Sequence, residues 1–326
     1  MTKAHAIVAS KPGGTEVLDY REIMLPQLGD GQILIRQHAI GVNFIDIYFR
    51  SGSYPWPVVE NLVLGQEGAG VIEAVGPNVT GFKVGDRVAC MVAHNAYATH
   101  RIVPATMTVK LPDNVSDAQA AASMLKGMTA YYLITSSYAA KKGDTVLFHA
   151  AAGGVGLIAG QWLAAMGVTA IGTAGGPEKC ALALENGYAH MIDYNSDDFV
   201  ARVMELTGGK GVDAVYDSVG KDTYASSLKV LKRFGSFVSF GQSSGPVAEF
   251  KLSDLAVGSL RATRPTLFHY TADRNWLEAA SAALFAAIGD GTIKLKVDNS
   301  FKLQDAAKAH EALASRKTTG SLVLTV

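Results

Sequence analysis

The sequence predicts an α/β chain in which a doubly wound parallel sheet is joined to a second, β-rich domain. Three observations carry that prediction. Residues 145–156, TVLFHAAAGGVG, run from β-branched and aromatic residues into glycines and then into a helix-like stretch. Downstream, short apolar runs at 168–173, 191–194, 212–216 and 237–240 alternate with segments of helix length, the rhythm of βαβ units on a parallel sheet. Residues 1 to about 122 have no such rhythm; their short alternating runs, 33–39 and 71–75, are separated by turn signals at 28–31, 76–78 and 85–86, which reads as a partly barrel-like β domain.

In chain order, the barrel-like domain gives way at Lys141-Lys142-Gly143-Asp144 to the first parallel strand, and the glycine turn follows. A strand, a tight turn and a helix N-terminus together make a cradle for a diphosphate, because backbone N–H groups must approach the anion closely. Gly153, Gly154 and Gly156 permit that approach, although Ala151 stands where a strict G-x-G-x-x-G has its first glycine, leaving A-x-G-x-x-G. The alternative is that the glycines only end a strand and let Gly156 and Gly160 pack a helix on the sheet. Helices are expected at 178–185, ended by Gly187, and at 197–206, ended by Thr207-Gly208-Gly209. After a strand near 259–263 comes an Ala-rich amphipathic helix at 273–288, and 292–326 returns to short strands and one helix that fold back on the first domain. The expected domains are 1–122, completed by 265–326, and 123–264.

A selective NAD site carries an acidic residue about 20 residues past the glycines, where it holds the ribose 2′-hydroxyl. Here the second strand ends in Gly172-Thr173-Ala174-Gly175-Gly176, and Lys179 follows within reach of an added phosphate. Glu178, after Pro177, reads as the first turn of a helix. NADPH is therefore favoured over NADH; the alternative for Lys179 is a solvated surface lysine.

The chain has 326 residues, 48% of them hydrophobic, which suffices for two domains with their own cores. Its 29 basic and 29 acidic residues give no net charge, which argues against a nucleic acid or an anionic membrane as partner. Two cysteines, Cys90 and Cys180, build neither a disulfide framework nor a metal-ligand spacing, and a cytoplasmic protein is expected. The start lacks a signal-peptide core. The apolar stretch 155–174 is divided by Gly156, Gly160, Gln161, Gly167 and Gly172 and reads as helix then strand rather than a membrane span.

Several blocks in one order then carry a resemblance. They are NFIDIYFRSGSYP at 43–55, GQEGAG at 65–70, GDRV at 85–88, KGMTAYY at 126–132, HAAAGGVG at 149–156, YDSVG at 216–220, SFGQSSG at 239–245 and TRPTL at 263–267. The chain resembles, nearly end to end, the quinone oxidoreductase, zeta-crystallin-like branch of the medium-chain dehydrogenase/reductase superfamily. The resemblance implies a GroES-like catalytic domain beside a Rossmann domain, a homodimer, and reduction of quinones by NADPH.

Zinc-dependent relatives carry a Cys, then an Asp three residues on, and a Gly-His-Glu. The corresponding positions here are Asn43, Asp46 and Gln66, with Glu67 kept, and Lys126 stands where the last ligand is expected. Asn, Gln and Lys do not assemble a zinc site, so a metal-free reaction is expected. By the resemblance, Gly153, Gly154 and Val155 hold the pyrophosphate; Lys179 and Tyr194 belong to the adenosine 2′-phosphate side; Phe240, Gly241 and Ser243 approach the nicotinamide; Gly175 and Ser218 also bind the cofactor. Asn43, Thr129, Tyr131, Arg264 and Arg316 surround the cofactor, and Tyr54, Asn43 and Lys126 are the candidate donors to a quinone oxygen that gains charge. Other roles remain open: Tyr131 and Phe240 as core aromatics, Asn43 and Asp46 as caps of a helix at 45–49, Arg316 as a solvated charge. His149, within the strand before the turn, reads as a buried structural histidine. Two other functions also remain: an NADPH-dependent alkenal or enone double-bond reductase, and an NADPH-binding structural or RNA-associated protein.

Overall fold

The structure is a computed structural model and describes residues 2–315, 318 and 320–326. The chain divides into two compact units, Met1–Leu125 with Thr271–Val326, and Lys126–Tyr270. In chain order the elements that matter to the site begin with β1 (Lys3–Ala9), β2 (Leu18–Met24), β3 (Gln32–Gly41), α1 (Phe44–Ser51), β4 (Leu62–Val63), β5 (Glu67–Val75), β6 (Arg87–Met91), β7 (His100–Pro104), β8 (Thr108–Lys110) and α2 (Asp117–Tyr132). The parallel unit follows with β9 (Thr145–Phe148), α3 (Gly154–Ala165), β10 (Thr169–Ala174), α4 (Pro177–Glu185), β11 (His190–Asp193), α5 (Phe199–Leu206), β12 (Val212–Asp217), α6 (Tyr224–Lys229), β13 (Leu231–Ser239) and β14 (Arg261–Thr263). The last are α7 (Leu267–Thr271), α8 (Arg274–Gly289), β15 (Val297–Lys302), α9 (Ala306–Ala314) and β16 (Ser321–Thr325).

In the first unit, β3 is the hub. It pairs antiparallel with β5, β7 and β16, and the sheet runs β15-β16-β3-β5-β6-β8. Ile33, Ile35, Ile72, Val88 and Val103 from these strands form one buried cluster, each side chain worth about 1.5–3 kcal/mol when withdrawn from water. The C-terminal segment belongs to this unit through β16, where Leu324 pairs with Ile40, and through Leu303, Ala306 and Ala309, which pack in one cluster with Ile7, Leu64 and Tyr97. Arg101 is fully buried; its two terminal nitrogens donate to the carbonyls of Gln66, Val92 and His94, the kind of pairing a buried cation requires, while its Nε has no partner among the described residues.

The second unit is a parallel sheet in the order β11-β10-β9-β12-β13-β14. The first strand, β9, lies at its centre, between β10 and β12, so the winding reverses there, and the crevice outside the strand ends at a reversal is where such sheets bind ligands. Leu147, Ile171, Ile192, Val203, Val215 and Phe237 are buried together, which explains why these strands read as continuous apolar runs. The expected helix at 197–206 begins at Phe199, because the Asp198 carboxylate accepts the N–H of Val200 and caps the turn there. Strand 259–263 is shortened to 261–263: Ser259 has φ +50, a left-handed conformation outside the extended region of regular strands. Pro177 and Glu178 open α4, with Pro at its first positions and the acid in its first turn, as the sequence predicts.

Candidate active site

Within the parallel unit, the residues implicated by sequence collect just past the carboxyl ends of the strands. The glycine turn follows β9, Gly175 follows β10, Tyr194 follows β11, Ser218 follows β12, Phe240, Gly241 and Ser243 follow β13, and Arg264 follows β14. Several touch one another. Ser243 N donates to the Ser218 carbonyl at 3.1 Å, and a Cβ on Gly241 would stand 2.6 Å from that carbonyl. Arg264 donates to the Ser239 carbonyl at 3.0 Å. The Phe240 ring lies 5.7 Å from that of Phe148, half-buried at the sheet end.

The glycine turn divides its labour. Gly153 is the N-cap of α3 and no side chain caps the helix there; the first intrahelical bond is Leu157 N to Gly153 O, so the N–H groups of Gly154, Val155 and Gly156 precede the ladder and face outward from the helix end. An anion is the natural partner for such an end. Gly153 is exposed, and a Cβ on it would meet only the Ala150 carbonyl, at 3.1 Å. Gly156 serves packing: its Cβ would lie 2.4 Å from the Ala151 carbonyl. Gly160 does likewise, against the Tyr188 ring at 2.4 Å. The packing reading of the glycines therefore holds at Gly156 and Gly160. Lys126 lays its stem on Gly154, where a Cβ would meet Cδ at 2.7 Å. Thr129 and Tyr131 follow it on α2, and the Tyr131 ring rests 5.4 Å from Trp162.

Past the end of β10, a Cβ on Gly175 would stand 2.6 Å from the Tyr194 hydroxyl. Tyr194 is 56% exposed. Asp193 holds the loop by accepting the N–H groups of Gly176 and Asn195. Lys179 lies half-buried in the first turns of α4.

His149 is a structural histidine, placed one residue beyond β9. Its ring nitrogens meet Thr173 Oγ1 at 2.9 Å and Ser227 Oγ at 3.0 Å, and burial lowers its pKa, which keeps it neutral.

In the first unit, Asn43 is the N-cap residue of α1. Asp46 Oδ2 accepts its backbone N–H at 2.8 Å, while its side-chain amide donates to Glu67 Oε1 at 2.7 Å. The capping role read from the spacing of three is therefore real, and the amide serves a second partner. Glu67 is fully buried and its other oxygen accepts the Leu125 N–H. Tyr54, half-buried, packs tilted against Tyr48 at 5.3 Å and meets Phe49 edge-on at 5.6 Å; its N–H donates to the Tyr48 carbonyl. Arg316 lies outside the described residues.

Three features escaped the sequence. Ala150 carries φ +55, local strain at the start of the glycine turn. Asp217, fully buried, accepts Val219 N, Gly220 N and Thr223 Oγ1 and so braces the loop that presents Ser218; a carboxylate at a strand end was the available signal. Tyr97, His310 and Arg50 form a buried polar chain on Asp46, which no local signal announces.

A parallel sheet wound in this order, with an uncapped glycine helix end and a separate antiparallel unit, defines a two-domain dehydrogenase or reductase. Residues 29–113 match the family model of the alcohol dehydrogenase GroES-like domain, and 154–282 that of the zinc-binding dehydrogenase. The chain is 48% identical to the quinone oxidoreductase of Pseudomonas aeruginosa over 96% of both chains, and 43% identical to a 2-haloacrylate reductase of a Burkholderia species over 98% of both. It superposes on the Escherichia coli quinone oxidoreductase complexed with NADPH with a TM-score of 0.95 at 45% identity, covering 99% of this chain and 100% of that one. The chain belongs to the quinone oxidoreductase branch of the medium-chain dehydrogenase/reductase superfamily.

The zinc named in one family description finds no fitting donor set here. Asn43 and Gln66 offer amides, and the Glu67 carboxylate is already held by N–H donors, whereas zinc sites are built from thiolate, imidazole and carboxylate. Among the described residues no group of three or more His, Cys, Asp or Glu is disposed to hold a metal.

Proposed function

We propose that this protein is an NADPH-dependent quinone oxidoreductase that works without zinc. The observation that carries the reading is the end-to-end likeness, at 45–48% identity, to proteins of that name, one of them solved with NADPH. NADPH fits the residues present: the helix end at Gly153 lacks a side-chain cap, and the exposed Tyr194 lies where Gly175 leaves space. When bound, NADPH supplies the hydride that reduces the acceptor.

The chain supplies position and charge. The N–H groups of Gly154 and Val155 take the pyrophosphate. Lys179 and Tyr194 take the 2′-phosphate side, with Gly175 keeping the approach open. Ser218, Phe240, Gly241 and Ser243 hold the nicotinamide end, and Thr129, Tyr131, Arg264 and Arg316 complete the cofactor contacts. Tyr54, Asn43 and Lys126 are the donors offered to the quinone oxygen as it gains charge, and hydrogen bonds to a developing charge favour the transition state over the ground state. A quinone suits such a site because it accepts hydride without a Lewis acid.

The protein acts in the cytoplasm as a homodimer. Both cysteines, Cys90 and Cys180, are free, and no helix of the described residues is long and apolar enough to cross a membrane. For dimerisation, β14 ends the parallel sheet, and Leu252 and Val257 nearby in sequence are 80% and 78% exposed, an edge and a patch that a second copy can cover.

A second reading, reduction of an activated double bond, is favoured by the 2-haloacrylate reductase among the relatives. A steady-state panel of quinones and α,β-unsaturated aldehydes with NADPH separates the two. Quinones turning over faster support the first; an enal faster than every quinone supports the second.

A further inference from the structure

A directed chain of hydrogen bonds runs beneath Asn43. Arg50 Nη1 lies 3.2 Å from His310 Nδ1; a guanidinium has only donors, so Nδ1 accepts. The imidazole proton of the neutral ring then sits on Nε2, 2.9 Å from the Tyr97 hydroxyl. Nε2 donates to that oxygen, and the phenolic hydrogen is left to point at Asp46 Oδ2, 3.1 Å away. The same Asp46 oxygen accepts the Asn43 backbone N–H. Tyr97 and His310 have no exposed surface and Asp46 has almost none, so water cannot replace a lost member. Burial and the Arg50 charge hold the His310 imidazole down to about 3, and burial beside Asp46 raises the Tyr97 phenol well above its ordinary value. The order of donors is therefore the same throughout the neutral range.

Arg50 and Asp46 stand one turn apart on α1, a buried cation and a buried anion joined through two neutral groups. Tyr97 fixes which way the Asp46 carboxylate faces. Asp46 in turn fixes the N-cap of α1, and with it the backbone from which the Asn43 amide reaches Glu67. That amide has two N–H bonds; Glu67 takes one, and its planar geometry sets the direction of the other.

We propose that Tyr97 and His310 are positioning residues for the reaction, holding Asp46 so that the Asn43 side chain meets the acceptor oxygen in one orientation. The proposal rests on the reading of Asn43 as a donor to that oxygen. Neither residue touches substrate; a loss of about 1 Å in placement of a catalytic group is enough to slow a reaction.

A double-mutant cycle tests it. Asn43→Ala, Tyr97→Phe and the double variant are assayed with NADPH and 1,4-benzoquinone for kcat and KM, and titrated with NADPH for Kd. Asn43→Ala is expected to lower kcat/KM about tenfold and Tyr97→Phe about fivefold, with the NADPH Kd nearly unchanged. In the Asn43→Ala background, Tyr97→Phe then costs almost nothing, because the group it positions is gone. His310→Gln, which retains one acceptor and one donor, recovers most of the rate lost in His310→Phe, and this pair carries the same test if Tyr97→Phe folds poorly. Losses that multiply independently, or a Tyr97→Phe enzyme with unchanged kcat/KM, overturn the proposal. Full activity of Asn43→Ala alone overturns the underlying role of Asn43, and is distinguished by appearing in that single variant.

Discussion

The Asn43 amide donates a 2.7 Å hydrogen bond to the Glu67 carboxylate, and both groups are buried. An amide donor bonded to a carboxylate occupies the positions that match zinc-ligand positions of zinc-dependent relatives, and with the Leu125 N–H it satisfies both carboxylate oxygens. Elemental analysis of the purified protein is expected to find well under one zinc per chain, and a chelator to leave activity unchanged. One zinc per chain, lost together with activity, would contradict the metal-free reading.

Tyr194 lies against Gly175 just past β10, where no carboxylate ends the strand, and Lys179 follows in the first turns of α4. Lys179→Ala is expected to weaken NADPH binding by about 1–3 kcal/mol, the scale of a charge-assisted hydrogen bond, with little change for NADH. Fluorescence titration of both cofactors decides it; an equal loss for the two removes Lys179 from the phosphate site.

Gly153 and Gly156 differ in what surrounds them, so their alanine variants should differ in kind. Gly156→Ala forces a methyl to within 2.4 Å of the Ala151 carbonyl and is expected to lose about 1–3 kcal/mol of stability by overpacking. Gly153→Ala meets far less obstruction and is expected to keep its Tm while binding NADPH more weakly. Thermal melts and cofactor titrations of the two variants check this; equal Tm values would contradict the division of roles.

His310 makes stability depend on pH. Its folded-state pKa of about 3 lies below that of the unfolded chain, so the unfolded state binds the proton first as pH falls. The contribution is fully present above the unfolded value and is lost between about pH 6.5 and 3, at about 1.4 kcal/mol per unit where the difference in protonation is complete. His149, also lowered by burial, acts in the same direction. Urea unfolding at pH 7 and pH 5 is expected to show the loss, and His310→Gln to show less of it.

What the sequence disclosed was local. Strand, turn and helix at 145–156 lie within twelve consecutive residues, so β propensity, glycine and the apolar helix face announce the nucleotide turn together. Asn43 and Asp46 are three apart, the spacing of a helix cap, and the structure uses them so. The chain that supports Asn43 was not legible: Tyr97 and His310 are 213 residues apart, and each alone reads as an unremarkable polar residue. The packing role of Gly156 could be offered only as an alternative, since its closest neighbour is a carbonyl that only the folded turn brings near. The strand at 259–263 was read too long because the positive φ of Ser259 leaves no mark in composition.

The central claim is that this chain reduces quinones with NADPH and without metal assistance. The most direct measurement is the rate of NADPH oxidation by the purified, metal-depleted protein with 1,4-benzoquinone, set beside oxidation of simple alcohols with NADP⁺. An alcohol must lose a proton as its hydride departs, and the residues at 43, 66 and 126 offer no zinc to assist. The account predicts rapid, saturable oxidation of NADPH by the quinone and almost none of the alcohols. Quinone turnover no faster than the uncatalysed reaction, or robust alcohol oxidation, would contradict it.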